Sequence, residues 1–171
     1  MIIRFFLLWF ISSIAVNAQV STTRFNDFKL GMKKSEVEKM IGKNVSLDLN
    51  GGYPIGSSQV EHKGIAYEIS FSNVYDEQGK ELNDFTVYSI TSQDRRLKTL
   101  SGISIGSSYD EVLKTYKNYN ISVNDFWNDD STRDKTTRLF TISDYETGAQ
   151  LIITLKNGKV FEFYVSFYEG C

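Results

Sequence analysis

Two stretches of the chain carry one hydrophobic pattern. In KLGMKKSEVEKMIG (29–42) an apolar-x-apolar-Gly opening leads through polar residues to Glu-Val and a helical run, and SIGSSYDEVLKTYK (104–117) repeats it 75 positions on. The shift lays Phe28, Leu30, Gly31, Glu36 and Val37 on Ile103, Ile105, Gly106, Glu111 and Val112. Val37, Met40 and Ile41 fall at i, i+3 and i+4, and Val112, Tyr116 and Tyr119 do much the same, so each stretch predicts a short amphipathic helix. Ser108 and Glu111 have the spacing of a capping box. Lys33 stands where that serine would be in the first stretch, so the cap there is lost or displaced to Ser35. Gly42 is suited to a left-handed helix end, and Gly31 and Gly106 to tight turns.

After each helix the period drops to two. Ile65, Tyr67, Ile69 and Phe71 alternate with Ala66, Glu68, Ser70 and Ser72, which predicts a strand with one buried face. A second strand, 85–92, follows a polar loop at 76–81; further strands are predicted at 138–143, 151–155 and 160–167. The last two flank Lys156-Asn157-Gly158-Lys159, and Asn-Gly between apolar runs is a strong hairpin signal. At the same shift Thr86, Tyr88 and Ile90 fall on Phe161, Phe163 and Val165. Together these elements predict an α+β fold of two tandem repeats, each a short helical segment packed on an antiparallel β-meander. The units are 19–97 and 98–171; their join, 95–102, has no linker composition, so they are expected to dock closely.

Composition adds a compartment. Arg4, an apolar run at 5–16 and Val16-Asn17-Ala18 read as a secretory signal peptide, 1–18, cleaved before Gln19. As a retained anchor the run falls short of the roughly 20 residues that span a bilayer. Without the leader the chain carries a net charge of about −3 with signs interspersed. This excludes a general binder of nucleic acid or anionic membrane, which needs a basic patch. Cys171 is the only cysteine, so an internal disulfide is impossible and the core must suffice. About 150 residues bury enough surface for that. Twelve Phe, ten Tyr and a single Pro favour sheet.

The apolar-x-apolar-Gly turns, Glu-Val helices and closing LKNGKVFEFYVS (155–166) resemble the fold shared by the beta-lactamase inhibitory protein and the small lipoprotein of the outer-membrane barrel-assembly machinery. The tandem arrangement is nearer the inhibitor, and the likeness runs over the whole chain after the leader. It implies a concave sheet surface that covers a protein target. The chain departs from both families: it lacks the inhibitor's disulfides and the lipoprotein's lipid-bearing cysteine, so the identity of a target does not carry over.

Catalytic chemistry is scarcely written in the chain. His62 is the sole histidine and has no second His or nearby Cys to share a metal, so it reads as a surface strand or hairpin position. A serine or cysteine triad would have to recruit it, and no Gly-x-Ser-x-Gly elbow accompanies it. The acidic stretch 125–134 lacks the spacing of a calcium loop and reads as a solvated loop with Arg133 and Lys135 as counterions. Gly51, Gly52 and Gly56 mark a loop with no phosphate-binding lysine. No cofactor or metal is implied. On the last strand Phe161, Phe163, Val165 and Phe167 share one face, so Glu162, Tyr164, Ser166 and Tyr168 share the other. If helices cover the Phe face, Tyr164, Tyr168 and Glu162 offer a partner-binding surface, with Trp127 as a further candidate. Burial of those tyrosines in the core or between repeats is the competing reading.

The expectation is a secreted or periplasmic, non-enzymatic protein-binding module, inhibitor-like or engaged in envelope assembly, whose partner is another exported or envelope protein. The alternative is a small-ligand or lipid-binding envelope protein with an apolar pocket between helix and sheet. An enzyme using an unrecognised carboxylate pair ranks third, because Glu36 and Glu111 recur at equivalent positions and this argues for helix starts over catalysis.

Overall fold

The alternating runs become long strands, and stretches with weaker alternation become strands as well. A computed structural model describes residues 18–48, 50 and 55–168. In chain order the elements are β1 (Ala18–Ser21), β2 (Arg24–Phe25), β3 (Phe28–Lys29), α1 (Lys34–Ile41), β4 (Ile55–His62), β5 (Ile65–Tyr75) and β6 (Glu81–Ser92). Then come β7 (Leu97–Thr99), α2 (Tyr109–Tyr116), β8 (Ile121–Trp127), β9 (Arg133–Asp144), β10 (Ala149–Lys156) and β11 (Lys159–Phe167). The leader expected at 1–18 lies almost wholly outside the described residues; Ala18 opens β1. Among the described residues no helix is long and apolar enough to cross a membrane.

This overturns the α+β expectation of two helix-plus-meander repeats. The chain is mainly β: two helices of eight residues each, little more than two turns, are too short to form a layer of their own. The strands build two sheets, and neither belongs to one repeat. A seven-stranded sheet runs β4-β5-β6-β11-β10-β9-β8, joined at its middle by antiparallel pairing of β6 with β11. A four-stranded sheet runs β3-β2-β1-β7, with β1 and β7 parallel. Residues for which no strand is predicted from the sequence thus form β1 to β3, most of β4, β7 and β8.

Correspondence between the two stretches persists locally. Gly31 N–H donates to Val87 O at 2.8 Å and Val87 N–H to Met32 O at 2.8 Å; Gly106, Val160 and Ser107 make the same two bonds at the same lengths. Both glycines have φ in the left-handed region, +74° and +93°, which is why glycine stands at each turn. The counterpart of Val87 is therefore Val160, not Glu162 as the sequence shift had it. A bulge in β6 leaves Tyr88 unopposed between Val87 and Ser89, and one in β11 does the same to Phe161. Phe161 is turned out, 41% exposed, whereas Phe163 and Val165 are fully buried.

The helix ends differ as the residues dictate. Ser108 Oγ accepts the Glu111 amide at 3.3 Å, and Glu111 Oε2 takes the Ser108 amide at 2.7 Å. At α1 the cap is Lys33, and only the reverse bond exists, Lys33 N–H to Glu36 Oε2 at 2.9 Å; the cap is not displaced to Ser35. Gly42 closes α1 with φ +71° and donates to Glu38 O.

One hydrophobic cluster joins both helices and the small sheet to one face of the large sheet. Val37, Val112 and Tyr116 come from the helices, Val20, Phe25, Phe28 and Leu97 from the small sheet, and Tyr67, Ile69, Phe71, Ile153, Leu155 and Phe163 from the large one. The opposite face carries mostly polar positions, most of them exposed or half-buried, with Ser89, Ser166 and Thr141 buried among their neighbours.

Candidate functional site

The face of the large sheet opposite the hydrophobic cluster is built from alternate positions of the seven strands. Register aligns Gln59, Glu68, Thr91, Tyr164, Ile152, Thr141 and Ser122 in one row across it. The next row is Ser57, Ser70, Ser89, Ser166, Gln150 and Ser143. Of the four residues singled out from the sequence, Tyr164 and Glu162 stand on this face. Tyr164 is half-buried, and Glu162 Oε2 accepts Gln93 Nε2–H at 2.8 Å. Trp127 is 60% exposed but closes β8 at its far end, beside Arg133. Its strand begins at Ile121, about 20 Å away at the usual rise per residue.

Tyr168 stands where β11 ends, beside the turn between β9 and β10. Its amide donates to Gly148 O at 2.7 Å, and its ring meets that of Tyr145 edge-on at 6.0 Å. Tyr145 in turn lines a cleft of about 600 Å³ between the small sheet, the end of α2 and the β9–β10 turn. The cleft floor is apolar: Val20, Ile142 and Leu151 are buried in it, with Tyr116, whose hydroxyl donates to Thr99 Oγ1 at 2.8 Å. Burial raises the Tyr116 pKa, so this phenol keeps its proton. At the rim, Leu100 is 65%, Tyr119 55% and Tyr145 65% exposed, and Tyr168 beside them 46%. Four large apolar side chains left in water around one concavity mark a binding surface better than any scattered exposed residue.

Why the cleft exists follows from side-chain volume. Val60 pairs with Tyr67 across β4 and β5 as Ile142 pairs with Leu151 across β9 and β10. Phe25 and Phe28 cover the first pair, with rings 6.2 and 5.0 Å from that of Tyr67. Over the second pair the small sheet and its β1–β2 turn bring Val20, Ser21 and Thr22 in place of aromatic rings, with Leu100 and Ser101 from the β7–α2 turn, and space remains.

The rim is acidic. Asp144 Oδ2 accepts the Thr22 hydroxyl at 3.2 Å, and Oδ1 accepts the amides of Glu146 and Thr147 at 3.2 and 3.3 Å. The Thr147 hydroxyl foremost, and then these bonds, hold the Asp144 pKa below the ordinary carboxylate value. Glu146 lines the same mouth, and no Lys or Arg lines the cleft among the described residues. His62 sits at the other end of the large sheet, at the close of β4 as its hairpin position implies, yet its side chain is tucked against the Phe28 ring and 3.0 Å from Asp27 Oδ2. The stretch 125–134 is a β-hairpin more than a loop: Asp125 on β8 pairs with Arg133 on β9 at 2.7 Å. The cleft residues Leu100, Tyr119 and Tyr145 were missed in the sequence. Their one signal there was being aromatic or leucine in polar turns.

No protein-family model matches the chain, and no curated protein and no solved structure matches it.

Proposed function

We propose that this chain is an exported, non-enzymatic binding protein that engages another exported or envelope protein through the aromatic end of its large sheet. The observation that carries this reading is a group of exposed side chains at one cleft, Leu100, Tyr119 and Tyr145 lining it and Tyr168 against the Tyr145 ring. Tyrosine beside polar groups is the composition interface centres favour, and the middle of the large sheet's polar face, with Thr91, Tyr164, Ile152 and Thr141, is uncharged as interface cores are. The resemblance to an inhibitory protein that covers its target with a sheet surface belongs to this proposal. Affinity capture from the native host with the mature chain tests it. Tyr145→Ala with Tyr168→Ala should lose the captured protein by about 30-fold, the weight of a hot-spot pair, with an unchanged melting curve. Trp127→Ala should keep it. Undiminished capture by the tyrosine variant overturns the surface.

The cleft's volume also favours a second reading, a small-ligand or lipid-binding envelope protein, since small-molecule sites measure about 300–1,000 Å³. Native mass spectrometry of protein purified from its host separates the two: a co-purifying small molecule, lost on Leu151→Phe, supports the second.

A further inference from the structure

The two ends of the large sheet handle charge in different ways. At the β4–β5 turn Asp27 has its own cation, Lys63 Nζ at 2.8 Å, with His62 Nε2 at 3.0 Å on the same oxygen. Asp144 follows the Ile142–Leu151 pair at the β9–β10 turn as His62 follows the Val60–Tyr67 pair at the β4–β5 turn. Here the acid stands on the large sheet itself, and the groups that hydrogen-bond to it are neutral: the hydroxyls of Thr147 and Thr22 and the amides of Glu146 and Thr147. Glu146 adds a second carboxylate at the mouth, next to the rings of Tyr119 and Tyr145. The first end is neutralised from within the chain, and the second leaves that to something outside it.

We infer that the cleft receives a lysine or arginine side chain of a protein partner, its alkyl stem against Leu100 and Tyr116 and its charged head between Asp144 and Glu146. The inference rests on the partner-binding reading above. Long basic side chains bury their stems on apolar surface while the head stays at a wet rim. Tyrosine faces attract such a cation, and the head meets carboxylates with no competing basic group in the cleft.

The test uses the folded chain and two peptides, acetyl-Gly-Leu-Arg-Leu-Gly-amide and its citrulline twin, which keeps the shape and removes the charge. Amide shifts in an NMR titration should move at 143–146 and at Tyr119 with the arginine peptide. Affinity should be at least tenfold weaker for the citrulline twin, and should weaken similarly with Asp144→Asn or on raising the salt tenfold. Asp144 also ties its own turn together, so Glu146→Gln, whose exposed side chain holds nothing in the fold, serves as a second variant, expected to weaken binding about threefold. Equal binding of both peptides overturns the cation inference, as does an absence of shifts at the cleft. If the tyrosine variant still loses the captured protein, the partner-binding reading survives that failure; if capture is undiminished, that reading falls too.

Discussion

The halves of the large sheet on either side of the β6–β11 seam each receive a glycine turn, at Gly31 and Gly106, through the same pair of hydrogen bonds, yet one is sealed and the other is open. In the first half Phe25 and Phe28 close over Tyr67, and Asp27 is neutralised by Lys63. In the second, Leu151 and Ile142 floor a cleft, and Asp144 faces neutral donors. The outer edges differ too. Among the described residues the outer edge of β4 has one bridge, Asp48 with Ser57, while β8 lines up seven residue pairs beside β9. Shared bonds preserve the frame, and unshared side chains decide which end is available for binding.

Substitutions can break or sharpen that contrast. The largest effect belongs to the sealed half: Phe28→Ala, fully buried on Tyr67, should cost about 3–5 kcal/mol in chemical denaturation. Leu151→Ala should cost about 2 kcal/mol, the low end for its type, because the space it vacates joins an existing cleft. Equal losses at the two sites would erase the distinction between sealed and open. Next come the shared turns, where the halves should agree: Gly31→Ala and Gly106→Ala each force alanine into positive φ at a cost of about 1–2 kcal/mol. Unequal losses would mean that the two turns are not held alike. At the helix starts the halves should part again. Ser108→Ala should lose about 1 kcal/mol, whereas Lys33→Ala should change stability by less than about 0.5 kcal/mol and Lys33→Ser should raise it.

The smallest effect is in acid. Asp134 at the start of β9 accepts the Thr136 amide and the hydroxyls of Thr136 and Thr137, and the Thr137 hydroxyl above all lowers its pKa to about 2. A depressed folded pKa gives stability that is present above the unfolded value and lost as the group protonates. The wild type should therefore lose part of its stability between about pH 4 and pH 2. Asp134→Asn should flatten that decline, measured by thermal melts across the range. Asp27, Glu38 and Asp94 in the first half are also held below their ordinary values, foremost by Lys63, Lys34 and Arg96, so both halves should share the acid loss, and Asp134→Asn should remove only the second half's part.

The long alternating runs were legible because burial on one face imposes a period of two, and β5, β6, β9, β10 and β11 were all read from it. Other strands escaped for identifiable reasons. IGSSQVEH in β4 has Gly and Ser where a strand usually advertises itself, and β8 is an edge whose Val123, Phe126 and Trp127 are exposed, so no buried stripe marks it. The two-residue strands β2 and β3 are too short for any period. Helical spacing was real but ended early: α2 stops at Tyr116, which frees Tyr119 for the cleft rim. The extra residue in β11 shifted the face of Phe161, and a bulge leaves no trace in a period-two pattern. Tyr168 is read from the sequence as the last position of the alternating strand face, but the strand ends one residue before it, at Phe167. The cleft was not legible, because Val20, Tyr116 and the Ile142–Leu151 hairpin pair meet from three distant parts of the chain.

The seam between β6 and β11 bears on how the molecule comes to be. Its four pairs, from Phe163 with Ser92 to Ser166 with Ser89, join positions about 70 residues apart, whereas every other neighbour in the large sheet is a hairpin. Closing so long a loop is entropically costly until both sets of hairpins exist, so the centre of the sheet is the slowest part to assemble. During synthesis β6 therefore presents a bare edge from the moment it forms until the last strand emerges. The middle of the finished structure is, in time, its final piece, and protection of that edge is the task any folding helper for this chain would face.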